Sequence, residues 1–193
     1  LWDSAFAAIG WSHLDIKRAQ QEVFSLLKGQ WHNGMIPHMI FSSDARYAGD
    51  RNIWRSSLSR NSPEHVATSG ITQPPVLAEA VVRIGAQLKK PERIMFYKKV
   101  LPALTRHHQW LYEERDPHAE GLVFQIHPYE TGLDNTPPWM NELHQHSRPW
   151  WISAVEKLPL NWFVNIIRRD TRTLPPAQRM ENVDALLSWN IIR

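Results

Sequence analysis

The sequence contains no cysteine, which removes disulfides, thiolate metal sites and a cysteine nucleophile from consideration. No run approaches the roughly 20 consecutive apolar residues that a membrane-spanning helix requires, so neither a membrane segment nor a membrane partner is expected. Glycine occurs at only eight positions, never in a Gly-x-Gly-x-x-Gly or phosphate-loop arrangement, and no nucleotide cofactor is indicated. A Gly-x-Ser-x-Gly elbow is also missing, which argues against a serine hydrolase. The histidines are dispersed: His107-His108 and His144-x-His146 lack the i, i+4 helical spacing with a third ligand that marks zinc, so no metal site is expected. Charge is nearly balanced, with 22 Lys plus Arg against 19 Asp plus Glu and a net +3. The excess is spread along the chain rather than gathered in a block, which gives a nucleic-acid partner little support.

What is present is 193 residues, 42% hydrophobic and 21% charged, the profile of a soluble globular chain long enough for one domain or for part of a larger one. Ten Trp and ten His form a heavy load of rings. Trp and Tyr combine an apolar face with a polar edge, which suits both a large helical core and a sugar-binding cleft; composition alone leaves both readings open. The chain opens on Leu1-Trp2-Asp3 and closes on Ile191-Ile192-Arg193 inside an apolar pattern, so a fragment of a longer domain is expected. Such a piece would expose helix faces that its missing part covers and would be prone to aggregate. A cytoplasmic location is the expectation, although a chain that opens this way says little about a signal peptide.

The pattern is mostly helical. A short helix is expected over residues 4–12, with Asp3 as an N-cap type. Asp15 looks like the cap of a second helix carrying Ala19, Val23 and Leu27, which stops near Lys28-Gly29. Asn33-Gly34 signals a turn, Met35 to Phe41 reads as an extended, partly buried loop, and Ser42 to Gly70 is polar and loop-like. Helix resumes at Pro74-Pro75 with Val76, Leu77, Ala80, Val81, Ile84 and Leu88 as its stripe. Another begins at Pro91-Glu92 with Ile94, Tyr97, Leu101, Leu104, His108 and Leu111 on one face, and Pro102 implies a kink or break in it. After a long loop from Glu120 to Trp139, a helix is expected near Trp151 to Val155, reaching toward Lys157. A polar loop near Arg168 to Gln178 and a last helix from about Asn182 follow. Paired helices joined by long aromatic loops suggest an all-α toroid or solenoid; no repeat of fixed period supports the solenoid.

Long ordered loops usually serve function, and three regions share a palette of rings, carboxylates, amides and glycine. These are Trp2-Asp3-Ser4; Gln30-Trp31-His32-Asn33-Gly34-Met35-Ile36-Pro37-His38 with Gly70-Ile71-Thr72-Gln73-Pro74-Pro75; and His127-Pro128-Tyr129-Glu130-Thr131-Gly132-Leu133-Asp134-Asn135-Thr136-Pro137. Carboxylates and amides bond sugar hydroxyls while rings cover the C–H faces. Asp3 and Gln73 each precede a predicted helix start and would face a common mouth. The plainer readings are an N-cap for Asp3, an exposed loop amide for Gln73, a turn residue for Asp134 and an Asx turn for Asn135.

In this order the motifs resemble glycoside hydrolase family 63, closest to the bacterial branch that holds mannosylglycerate and glucosylglycerate hydrolases; Arg168-Arg169-Asp170-Thr171 also looks like that branch. Each motif is weak, and four in series over nearly the whole chain are specific. The resemblance implies part of an (α/α)6 barrel that hydrolyses α-glycosidic bonds with inversion and needs no cofactor. It implies Asp134 as general acid, with Trp2, Asp3, Gln73, Tyr129 and Gly132 on the sugar; Tyr129 stands where many relatives carry Trp. Inversion takes one protonated carboxyl and one carboxylate that activates water. Aromatic walls, or a like charge from Glu130, would raise the acid's pKa. The family's base lies farther along than the 59 residues (193 minus 134) that follow Asp134. Glu142, Glu156, Asp170, Glu181 and Asp184 sit in no motif resembling its surroundings. Trehalase-like or glucoamylase-like barrels, a non-catalytic sugar-binding module and a basic aromatic nucleic-acid binder are the competing readings.

Overall fold

The computed structural model describes residues 1–43, 54 and 56–132, all within one compact unit. Asp134, Asn135, the five later carboxylates and the helices expected near 151–157 and 182 lie outside the described residues.

Four helices carry the described part: α1 (Trp2–Ser12), α2 (Ile16–Leu27), α3 (Leu77–Gln87) and α4 (Lys90–Arg115). There are also 3-10 turns at Ser56–Leu58 and Pro128–Thr131. No strand occurs among these residues; the segments around 38–41 and 67–71 pair through a single antiparallel bridge, Ile40 with Thr68. His38 N–H donates to the Ile71 carbonyl at 2.7 Å, Phe41 N–H to Ala67 at 2.8 Å and Ser69 N–H to Met39 at 3.0 Å. These bonds satisfy buried backbone that has no helix to satisfy it.

The start of α2 follows the sequence. Asp15, in extended conformation, accepts from Lys17 N–H at 3.0 Å and Arg18 N–H at 3.2 Å, satisfying two of the helix's orphan donors. Its face buries Ala19, Val23 and Leu26, with Leu27 at the margin of the core. The start of α1 differs from expectation. Leu1, not Asp3, is its N-cap, because the buried Leu1 already offers its carbonyl to Ala5 N–H. Asp3 sits instead in the first turn, where a carboxylate complements the positive end of the helix.

Helix α3 begins at Leu77 rather than at the proline pair. Pro75 keeps the residue before it out of the helical region, so the double proline ends an extended segment. Ala5, Ala8, Ala19, Val23, Ile84 and Val100 close the apolar core between the helices, each without measurable exposure. Full burial of a Val or Ile contributes about 1.5–3 kcal/mol. The turn from α3 to α4 brings the two very near: a Cβ placed on Gly85 would land on the Tyr97 hydroxyl.

Two expectations about α4 need correction. The helix is not broken at Pro102; the proline faces solvent, so the Lys98 carbonyl that loses its N–H partner is free to bond water. The buried face is also shifted. Leu104 and Leu111 point inward as expected, together with Phe96, Val100, Ala103, His107, Trp110 and Arg115, whereas Tyr97 and His108 are half-buried and Ile94 and Leu101 are exposed. The inward stripe has sound helical spacing, but it contains a histidine and an arginine, and their polarity hid it from a count of apolar residues. Several large apolar side chains lie on the surface, Leu14 at 82% and Met95 at 62% exposure among them. No described helix is long and apolar enough to cross a membrane.

Candidate functional site

The motifs meet. Trp2, at the first turn of α1, lies against Gly132, which has a left-handed φ of 68°. A Cβ at that glycine would come within 2.8 Å of the Trp2 ring, so the 132 position needs glycine both for its backbone and for the indole above it. Gln73 is buried rather than exposed. Its Oε1 accepts from the Leu1 nitrogen at 3.0 Å and from Trp2 N–H at 3.3 Å, tying the segment before α3 to the start of α1. The Leu1 nitrogen also donates to the His38 carbonyl at 2.6 Å.

Tyr129 stands beside two imidazoles, its ring 5.0 Å from His127 and 6.2 Å from His38. Trp54 completes the cluster at 6.3 Å from His38 and 6.1 Å from His127. Asp3, exposed, lines a cleft of about 490 Å³ together with Leu1, Ser4, His38, Met39 and Ile40. Thus Trp2, Gln73, Gly132 and Tyr129 form one neighbourhood, and Asp3 reaches it through the cleft it shares with His38.

The electrostatics are those of a neutral polar wall. Burial, the largest cause, pushes the His38 imidazole down to about 4, and its Nδ1 has no hydrogen-bond partner among the described residues. Burial also lowers His127, with Glu130 acting in the opposite direction. Near neutral pH both rings are uncharged; the His127 Nδ1 accepts from Tyr129 N–H at 3.1 Å, so that nitrogen is already used. Such rings suit hydroxyl groups better than they suit a formal charge.

Glu130 is not an unpaired charge. It is buried, and its two oxygens take a two-pronged contact from Arg115, Nη1 to Oε2 and Nη2 to Oε1, both at 2.8 Å. Oε1 also accepts from Thr72 N–H at 3.3 Å and Oε2 from Ile126 N–H at 2.8 Å. The carboxylate is therefore matched by a guanidinium and by two backbone donors. Sequence reading missed this arginine and also left His38 and Trp54 out of the site. His38 ends a motif already singled out, so its signal was present; Arg115 and Trp54 sit in no motif. No group of three or more His, Asp or Glu able to hold a metal occurs among the described residues.

A family model described as the mannosylglycerate hydrolase MGH1-like glycoside hydrolase domain matches residues 1–185. The chain belongs to this family. It is 40% identical over 195 residues to a mannosylglycerate hydrolase of Thermus thermophilus, covering 97% of this chain and 43% of that protein. It is also 40% identical over 146 residues to a glucosylglycerate hydrolase of Mycolicibacterium hassiacum, covering 72% of this chain and 33% of that one. Among solved structures, a glycoside hydrolase family 63 mannosylglycerate hydrolase from Thermus thermophilus, in complex with Tris and D-glycerate, superposes with a TM-score of 0.74 at 37% identity. That match covers 97% of this chain and 42% of the other. The chain spans less than half the length of the curated relatives it matches. Its helical architecture is thus that of a member of the MGH1-like family with family 63 neighbours.

Proposed function

We propose that the protein carrying this chain is an inverting glycoside hydrolase acting on a small α-glucoside or α-mannoside, such as glucosylglycerate or mannosylglycerate. Residues 1–193 would supply the N-terminal and central part of a single (α/α)6 catalytic domain, with the general base on a carboxylate outside them. The observation that carries the reading is the meeting of Trp2, Gln73, Tyr129 and Gly132 at one place. They come from three segments spread over the first 132 residues, in a chain whose relatives are named as hydrolases of such compounds.

In this reading Trp2 and Tyr129 cover the apolar faces of the sugar, while Asp3 and Gln73 hold its hydroxyls by directional hydrogen bonds. Gly132 keeps the loop low enough for the Trp2 ring to pass. Asp134, two residues farther on, donates a proton to the departing oxygen. The base would stand about 6.5–9.5 Å from it, leaving room for the water that attacks the opposite face of the ring. Because the leaving group departs from one face and water enters from the other, the product has the inverted anomeric configuration. Neither nucleic acid, membrane nor cofactor enters this reaction.

The test is Asp134→Asn in the complete protein. Turnover of an alkyl α-glycoside should fall by about a thousandfold or more, the scale expected when an essential proton donor is lost. Sugar binding by calorimetry should stay within a few fold. Wild-type-like rates in that variant, or retention of the anomeric configuration in products read by NMR, would overturn the reading.

A further inference from the structure

Arg115 is the last residue of α4 and is buried, with 7% of its side chain exposed. A guanidinium in such a place is stable only if every direction it faces is matched. Its plane lies over the Trp110 indole, 4.9 Å from the ring centroid, and Trp110 in turn stacks on His107 with an interplanar angle of 10°. The edge of the fork holds both oxygens of Glu130, and Nη1 also reaches the Phe124 carbonyl at 3.5 Å. The group is thus fixed in orientation by a stack along the helix and in reach by a planar two-point contact, a geometry that lysine cannot reproduce.

What Glu130 holds in its turn gives this arrangement its meaning. One oxygen fastens Thr72 N–H, next to Gln73; the other fastens Ile126 N–H at the entrance to the loop. Thr72 is locked again by its hydroxyl, which donates to the Ile36 carbonyl at 2.7 Å. Glu130 lies four residues before Asp134 and two before the glycine that seats Trp2. Four residues of chain span at most about 14 Å, so connectivity keeps Asp134 within that distance of the Glu130 anchor.

We propose that Arg115 is a positioning residue: its two-pronged grip on Glu130 sets the point from which the chain runs to Asp134, in register with the Thr72–Gln73 segment that holds Trp2. This rests on the assignment of Asp134 as the proton donor. Arg115 itself touches neither sugar nor reacting atoms. Its action is to keep the donor's loop within the few tenths of an ångström that proton transfer tolerates.

The experiment compares two substrates in the complete protein: an alkyl α-glycoside, whose leaving oxygen needs a proton, and the matching α-glycosyl fluoride, whose leaving group departs without one. In Arg115→Lys the charge remains and the fork is lost. Its kcat on the alkyl glycoside should fall by about tenfold or more while kcat on the fluoride stays within about threefold, with rates normalised to the folded fraction by circular dichroism. Glu130→Gln, which keeps the shape and breaks half of the contact, should show the same split and serves if the lysine variant does not fold. Asp134→Ala is the control for the underlying assignment. If it spares the fluoride and abolishes the alkyl substrate while both other variants lower the two substrates equally or not at all, Arg115 is merely structural and the inference is overturned. If Asp134→Ala itself shows no split, the acid assignment fails and takes the inference with it.

Discussion

Where α1, α2 and α3 meet, Ala5, Ala8, Ala19, Val23 and Ile84 are shut off from water and none brings a polar side-chain atom. Where the end of α4 meets the loops, a small apolar cluster of Trp31, Met35, Trp110 and Leu111 is joined by the buried polar residues Thr68, Ser69, Thr72, Gln73, His107, Arg115, Asp116, His127 and Glu130. Both regions are closed, but by different means. The first depends on area removed from water, which has no direction and tolerates small shifts of one helix over another. The second depends on hydrogen bonds, each meeting a geometric requirement, with a desolvation cost if a partner is lost. The protein keeps its tolerant packing under the helices and its exacting contacts under the residues proposed to hold a sugar.

The largest expected break in this comparison is Glu130→Ala. It strands the Arg115 guanidinium in a buried place and removes the acceptor for two backbone N–H groups, at a cost of about 3–5 kcal/mol. Urea denaturation measures it. Adding Arg115→Met should recover part of that loss, because an apolar pair needs no matching charge; full additivity of the two changes would show that the residues act separately.

A somewhat smaller effect concerns pH. Burial, aided by His108, pushes His107 down to about 4 from an ordinary 6.5, and its Nδ1 accepts from Ile36 N–H at 3.2 Å. The unfolded chain takes up that proton near 6.5 while the folded one resists it until about 4. Stability is therefore whole above the higher value and is lost as pH falls toward the lower, by up to about 3 kcal/mol. His107→Gln should lessen the slope of the urea midpoint against pH between these limits, leaving the share that His38, lowered over the same range, contributes; an unchanged slope would mean that the His107 ring is not among the groups titrating. The smallest effect lies at the edge of the apolar layer, where Asp15→Ala should cost about 1 kcal/mol by removing the α2 cap. A thermal melt detects it, and no change would mean that water serves the same N–H groups equally well.

The same contrast explains what a reader of the sequence can see. Asp15, Ala19, Val23, Ile84 and Leu88 follow rules that act over one or two turns, so the cap of α2 and the stripe of α3 were legible. The inward face of α4 was legible only in part, at Leu104 and Leu111, because His107 and Arg115 are buried for reasons that lie 71 and 15 residues away, at Ile36 and Glu130. The start of α1 lies two residues before the expected one because the Leu1 carbonyl already accepts from Ala5 N–H and Gln73, 71 residues away, accepts from Trp2 N–H. At the site, the order of the motifs singled out Trp2, Asp3, Gln73, Tyr129 and Gly132, and the fold brings Trp2, Gln73, Tyr129 and Gly132 into one neighbourhood. Nothing local announced that Glu130 would be paired with an arginine at a helix end.

The close pass of Gly85 under Tyr97 is made by the tip of the tyrosine ring: the atoms nearest to a Cβ at residue 85 are the Tyr97 hydroxyl and ring carbons, not the α4 backbone. The phenol can lie across α3 only because residue 85 carries no side chain. A methyl group there would turn the ring aside and leave the two helices in place, so the missing side chain chooses where one aromatic ring rests.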